Sequence, residues 1–598
     1  MKKNFIRIVI ALLIVSSFGS LQLGGNKVQA AENLTYANIG QILTEEAIKM
    51  DIPPEVAKAI AYEESAWDQQ KVSSVGAIGV MQVYKPDASD DEKNKLRYDT
   101  RYNIQQGLKI LNDKFVGKDG KLPTVNENDR DVLESWYFAV LAYNSVVQKN
   151  SPLILSDGSG DRNLGAYQEK VYQSIENYSI SGNVQPIPFK FTKNDFSYGD
   201  GNQLYFETFH YEIPESELHR TAQNYKGQDI VITAQQANFR DAPSSKAKSI
   251  ASTTEREPVT LTSDRIYDDS SNYGVSDASM VYKHYVWYKV ELDSGKEAYV
   301  ASGDLIQLGQ RLSGPDRYKT AAAIAQEGWP NGADTVVIAR GGDYPDALAG
   351  TPLAYELDAP MLLTEKKQLT ESTMDELQRL KPNKVILLGS NGAIKDVVKE
   401  EIEGMGIEVT RHGGSNRFET ASIIADQLPK SNTAILAYGL NFPDALSIAP
   451  YAAKNGYPIY LALTNKLPEA TAKAIKNYDN VIVVGSNGVV SEKALKGIPN
   501  YKRYAGKDRY ETNIDILKNL PLGTEQAYVA TGDDYPDALT GAVLAAKNNA
   551  PLILSPAKSL QPVTQAYLEN SSFDRFEFLG GDDVINVEKD LTQILLNN

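Results

Sequence analysis

The chain has 598 residues, a formal net charge of −16 and no cysteine. Its length exceeds a single hydrophobic core and predicts several domains; the acidic balance argues against nucleic acid as a partner; the missing thiol excludes disulfides and a Cys/His nucleophile. The histidines His210, His219, His284 and His412 are scattered, so no zinc-ligand cluster is legible and neither a metal nor a cofactor is expected.

Lys2, Lys3 and Arg7 precede an apolar run from Ile8 to Val15, and Val28-Gln29-Ala30 offers small residues for cleavage, the pattern of a secretory signal over 1–30. No later stretch is long and apolar enough to span a bilayer, so export with no membrane anchor after signal cleavage is expected. Helical periodicity is continuous from about Gln41 to Tyr178, within a domain expected over 31–180. One helix should open near Pro54, because proline is tolerated in a first turn, where its missing N–H leaves nothing unpaired. Val56, Ala59 and Ile60 form its apolar stripe, with Glu63 and Glu64 on or beside it and Trp67 one turn on. A carboxyl desolvated against Ile60 and Trp67 resists ionisation and can donate a proton near neutral pH. From the pattern alone, a capping or ion-paired glutamate is the commoner outcome, and the helical angle does not choose between Glu63 and Glu64.

Four motifs follow in order: Glu64-Ser65; Ser73-x-x-Gly76-Ala77-x-Gly79-x-Met81-Gln82; Asp99-x-x-x-Asn103-Ile104-x-x-Gly107; and Ala142-Tyr143-Asn144. Together they resemble the lytic transglycosylase family of SLT, goose-lysozyme-like domains, and Tyr167 to Val171 resembles its closing Tyr-x-x-x-Val helix. The resemblance implies an all-α lysozyme-like domain with Glu64 as sole catalytic acid and base and Ser65 orienting it. Ser65, Ser73, Gly79, Met81, Gln82, Tyr143 and Asn144 would form the substrate groove, with Tyr143 close to the carboxyl. A second Glu-Ser pair, Glu134-Ser135, lacks the Gly-x-Met-Gln sequel and is expected to be structural or groove-lining. Glycosidases that use two carboxylates hold them about 5–10 Å apart; the resemblance supplies one. It therefore implies cleavage of the MurNAc-GlcNAc β-1,4 bond of peptidoglycan glycan strands with formation of 1,6-anhydroMurNAc. A hydrolytic muramidase and a non-catalytic wall-anchored adhesion protein are the alternatives.

Residues 181–226 read as a polar connector with aromatics, of no derivable structure. Period two takes over in 227–308, where 230–234, 258–261, 286–290 and 297–300 read as short strands. Asn238-Phe239-Arg240-Asp241-Ala242-Pro243 with Trp287-Tyr288-Lys289-Val290 resembles a small all-β bacterial SH3-like barrel, either a wall-peptide reader or a spacer.

The rest is an internal repeat over 309–405, 406–500 and 501–598. Asp316-Arg317-Tyr318 recurs as Asn416-Arg417-Phe418 and Asp508-Arg509-Tyr510; Tyr344-Pro345-Asp346-Ala347-Leu348 recurs as Phe442-Pro443-Asp444-Ala445-Leu446 and Tyr535-Pro536-Asp537-Ala538-Leu539. Strands alternating with helices predict an α/β unit with a parallel sheet in each copy. The copies resemble cell wall binding type 2 repeats, which implies a pseudo-threefold module held to an anionic secondary cell wall polymer, and hence a secreted protein at a Gram-positive surface. The Pro-Ile-Leu-Leu stretch of that family matches Pro551-Leu552-Ile553-Leu554 best, while Tyr460 makes the second copy bulkier. Arg317, Arg417 and Arg509 could pair with phosphate or carboxylate of the polymer, or with an acid inside their own repeat. The Asp-rich turns lack the ligand spacing of a calcium loop and fit capping and turn chemistry.

Overall fold

The computed structural model describes residues 34–597 except 119, 127, 156–158, 180–188, 215–216, 293, 345, 499, 524 and 574. The expected signal segment, residues 186–188 at the head of the connector and Pro345 lie outside the described residues.

Among the described residues, six helices build the first domain: α1 (Tyr36–Lys49), α2 (Pro54–Ser65), α3 (Asp90–Tyr98), α4 (Thr100–Phe115), α5 (Tyr137–Asn144) and α6 (Tyr167–Tyr178). α2 starts at Pro54, as the tolerance for proline at N1 predicts. Asp99 caps α4 by accepting a hydrogen bond from the Tyr102 amide. Leu43, Ile60, Leu108, Leu141 and Ile175 meet in one core. The expected all-α domain is not wholly helical. Residues 66–89 form turns joined by isolated bridges, Val72 to Ile78 and Ile78 to Val83, and Glu134–Trp136 is a 3-10 turn ahead of α5. No described helix is long and apolar enough to cross a membrane.

The expected connector is part of this domain. Phe196–Tyr198 and Leu204–Phe206 form a hairpin, and His210–Tyr211 pairs in parallel with Thr124–Val125. Phe189, Phe196, Leu204 and Ile213 are buried in the same core as α5 and α6. Rings recruit the segment: Phe189 stacks on Phe191 at 5.0 Å and lies 4.8 Å from Tyr137.

Beyond it, all four expected strands of the β module form, within one or two residues. The strands do not make one self-contained unit. Ser249–Ser252, Asn238–Arg240, Glu297–Ala301 and Trp287–Glu291 make one antiparallel sheet, whereas Pro258–Thr260 and Asp229–Thr233 join a six-stranded sheet through Leu305–Leu312.

Each repeat carries a four-stranded parallel arrangement, but its membership is staggered against the sequence repeat. The first sheet takes Glu408–His412 from the head of the second copy, and the second takes Tyr501–Tyr504 from the head of the third. The third is closed by Leu305–Leu312, which precedes the first copy and pairs in parallel with Arg575–Leu579. The ring therefore closes on itself and the strand crosses the expected boundary at 308/309. Close approach demands glycine here: a Cβ at Gly309 would stand 1.5 Å from the Phe576 carbonyl oxygen. Thr351–Glu356, Pro443–Lys454 and Pro536–Lys547, one short helix from each copy, pack against one another around the pseudo-threefold axis.

Candidate active site

Glu64 sits in the last turn of α2, half-buried. Burial raises its pKa above the ordinary carboxylate value; Tyr167, Asn144 and the Lys71 charge oppose the rise, and Glu63 adds to it. The Asn144 amide is oriented by Asn150, which donates to its Oδ1 at 3.1 Å and leaves Nδ2 free to donate toward Glu64. Tyr167 Oη is buried without a hydrogen bond of ordinary length, and the Glu64 charge is, after burial, the largest influence raising its pKa. Tyr143 is also kept protonated by burial and then by Glu64, and its hydroxyl donates to the Met81 carbonyl at 2.7 Å. Two phenols and an amide thus surround a carboxyl that resists ionisation. That is the environment of a general acid.

The other carboxylates of the sequence argument are otherwise engaged. Glu63 accepts from Ser174 Oγ on α6 at 2.6 Å. Glu134 is buried and accepts from the His219 amide at 2.9 Å and from its Nδ1 at 2.7 Å, a structural engagement, the first of the two roles open to it from sequence.

Several residues expected to touch substrate build the turn that meets the end of α2. Ser65 does not reach the carboxylate: it is buried, and its Oγ donates to the Val80 and Ala61 carbonyls at 2.8 and 3.2 Å, tying the end of α2 to the turn. The Ser73 hydroxyl accepts from the Ala77 amide at 2.9 Å. Met81 is fully buried, and its amide donates to Asn103 Oδ1 at 2.9 Å while Asn103 Nδ2 donates to the Ile78 carbonyl at 2.8 Å. Gly79 has φ +78°, and a Cβ there would meet Asn103 at 2.4 Å. A Cβ at Gly107 would lie 2.3 Å from Met81 Cβ. Gln82 folds its amide onto the Gly79 and Lys71 carbonyls at 2.9 and 3.1 Å and stays half-exposed. Lys71 belongs to none of the sequence motifs, and no spacing signals it; its Nζ donates to the Glu64 carbonyl at 2.7 Å. In the sequence Tyr167 marks only the start of a helix motif, and its place beside Glu64 depends on how α6 packs on α2.

Far along the chain, the three repeat arginines bridge between copies, and the acid each faces belongs to its neighbour and not to its own repeat. Arg317, Arg417 and Arg509 lie over Tyr535, Tyr344 and Phe442 at 5.7, 5.9 and 5.6 Å, and donate to the Gly341, Gly439 and Gly532 carbonyls. Their charges act on the buried Asp537 and the half-buried Asp346 and Asp444 respectively. Tyr344, Phe442 and Tyr535 form a ring of aromatics with centroids 5.1 to 5.8 Å apart. All three guanidinium groups remain half-exposed.

Comparison with known proteins follows the same division. Residues 41–162 match the Transglycosylase SLT domain, and 311–399, 411–495 and 503–588 match Cell wall binding domain 2. The chain is 33% identical over 281 residues to the N-acetylmuramoyl-L-alanine amidase LytC of Bacillus subtilis, covering 47% of this chain and 56% of that protein. It is 32% identical over 296 residues to the amidase enhancer of the same organism, covering 48% and 41%. The chain spans about half the length of these curated relatives. Among solved structures, Cwp6 from Clostridium difficile aligns with a TM-score of 0.47 and 23% identity, covering 62% of this chain and 64% of that one.

Proposed function

We propose that this chain, in which an SLT transglycosylase domain is joined to three cell wall binding repeats, is a wall-attached lytic transglycosylase with Glu64 as its acid and base. The observation that carries the reading is the setting of the Glu64 carboxyl, held above its ordinary pKa by burial and flanked by Tyr167, Asn144 and Tyr143. Glu64 first gives its proton to the glycosidic oxygen as the bond from C1 of the muramic sugar to that oxygen breaks. As carboxylate it then takes the proton of the C6 hydroxyl while the C6 oxygen bonds C1. One proton leaves Glu64 and one returns, no water is consumed, and the product is a 1,6-anhydro end. Glu63, bound to Ser174, and Glu134, bound to His219, are each committed to another partner, which favours a one-carboxyl path over the two-carboxylate geometry. The amide-cleaving activity in the name of the B. subtilis relative belongs to that protein.

The β module keeps its reading as SH3-like. For attachment, the arginine ring first joins the three copies, and its exposed edges can still take an anionic group of a wall polymer. Tethering raises the local concentration of glycan without adding a contact at Glu64. Secretion by the 1–30 segment is part of the same proposal.

The test is solubilisation of purified peptidoglycan by the full chain and by Glu64→Gln. The variant is expected to lose at least about a thousandfold in rate while still sedimenting with walls. Full activity in Glu64→Gln would overturn the assignment.

A further inference from the structure

Immediately after Glu64 and Ser65, two consecutive non-glycine residues take left-handed backbone conformations: Ala66 at φ 53° and Trp67 at φ 62°. Such a pair persists only where its surroundings over-determine it. Here the surroundings are the Trp67 ring, which is 1% exposed and turned back along α2 so that its indole N–H donates to the Lys58 carbonyl at 3.0 Å. One side of the ring meets α1 at Gly40, where a Cβ would lie 2.9 Å away. It also stacks on the imidazole of His284, 5.4 Å between centroids and 14° from parallel. His284 belongs to the β module.

The same seam continues down α2. Lys58 is buried and donates to Gln223 Oε1 at 2.6 Å and to the His284 carbonyl at 3.3 Å, while the Gln223 amide donates to that carbonyl as well. Glu55 accepts from Thr221 Oγ at 2.7 Å and from the Ala222 amide at 2.9 Å. Tyr62 packs against Tyr178 at 4.9 Å and Tyr282 at 5.9 Å. Residues 55, 58 and 62 are spaced i, i+3 and i+7, one face of the helix. That face is closed by residues 221–223 and 282–284, which lie outside the 41–162 region matched to the transglycosylase domain.

We propose that His284 and Gln223 are positioning residues for glycan cleavage: by clamping Trp67 and Lys58 they fix the last turn of α2, and with it the place and the desolvation of Glu64. The proposal rests on the reading of Glu64 as acid and base. Cleavage is then a property of the catalytic domain seated on the β module. A displacement of about 1 Å at such a group is enough to lower a rate about a hundredfold.

The test uses the full chain with His284→Leu, which removes the planar stack; His284→Phe, which keeps it; and Gln223→Leu, which removes the Lys58 acceptor. Initial rates on purified peptidoglycan are measured across pH, with thermal melts and wall sedimentation as folding controls. His284→Leu and Gln223→Leu are expected to lower kcat at least about tenfold with KM changed less than about twofold. The alkaline limb of the kcat profile should move to lower pH as Glu64 becomes better hydrated, and His284→Phe should keep most of the rate. Folded Leu variants with wild-type rate and profile would overturn the proposal, as would equal losses in the Leu and Phe variants with an unmoved profile. If His284→Leu does not fold, Gln223→Leu and His284→Phe decide by the same criteria. Glu64→Gln alongside separates the two claims. If it stays active, the assignment of Glu64 falls and the positioning role with it; if it is dead and the seam variants are normal, only the positioning role falls.

Discussion

Glu64 is useful because it is uncomfortable. Its raised pKa means that ionisation is disfavoured in the fold, so its contribution to stability is full below the unfolded value and declines as pH rises through the folded one. Glu64→Gln removes that penalty. Above about pH 5 its catalytic-domain melting temperature is expected to equal or exceed wild type, by about 1–3 °C, even as activity vanishes; a clearly lower melting temperature, read by calorimetry, would contradict the burial argument. Gly107→Ala should act in the opposite sense, because the added Cβ meets Met81 at 2.3 Å. A loss of about 1–3 kcal/mol with a distorted turn is expected in denaturant unfolding. The motif residues named from sequence gather at the end of α2, where several of them also hold one another in place. Ser65, Met81 and Gly79 belong to the motif because they pack and hydrogen-bond one turn against α2, and a pattern cannot distinguish a groove residue from one that holds the groove in shape. Lys71 and the orientation of Asn144 by Asn150 depend on side chains brought together by the fold.

Elements were legible where their cause is local. Pro54 starts α2 and Asp99 caps α4 because proline and aspartate act within one turn. The alternating runs of the β module became strands for the same reason. The connector was illegible because its order comes from rings far away in sequence: Phe189 and Phe191 find Tyr137 and Phe138. Phe189→Ala should therefore destabilise the catalytic domain by about 3–5 kcal/mol, measured by urea unfolding. A change under 1 kcal/mol would mean that the segment is a passive tether.

The three repeats form a closed ring of three sheets into which the β module is woven through one strand, Leu305–Leu312. The repeat count and the alternation of strand and helix were readable from sequence. The stagger of the sheets was not, since a strand looks the same whichever copy it joins. Burial raises Asp444 and Asp537 to about 6, and Asp346 shifts in the same direction. At the junction with the β module burial takes Asp229 to about 6 and Glu577 to about 7. Between the unfolded carboxylate value of about 4 and these folded values, the native state binds more protons, so stability rises as pH falls through about 7 to 5. His412, lowered by burial, opposes this below about pH 6.5. The net expectation is a higher melting temperature for the wall-binding half at pH 5 than at pH 8, because four carboxylates of the repeats, Asp346, Asp444, Asp537 and Glu577, act against the one imidazole of His412. Arg417→Ala removes the cation over Tyr344 and opposite Asp346, and it should lower that transition while leaving the catalytic one in place. A catalytic transition that falls with it would show the two halves to be one cooperative unit.

In the proposed reaction one carboxyl, Glu64, performs both proton transfers without water. The most direct test is mass spectrometry of the soluble fragments released from purified peptidoglycan by the full chain and by Glu64→Gln. Anhydro-muramyl ends from the wild type and none from the variant are the expected result. Reducing muramyl ends from the wild type, or anhydro ends persisting in Glu64→Gln, would contradict it.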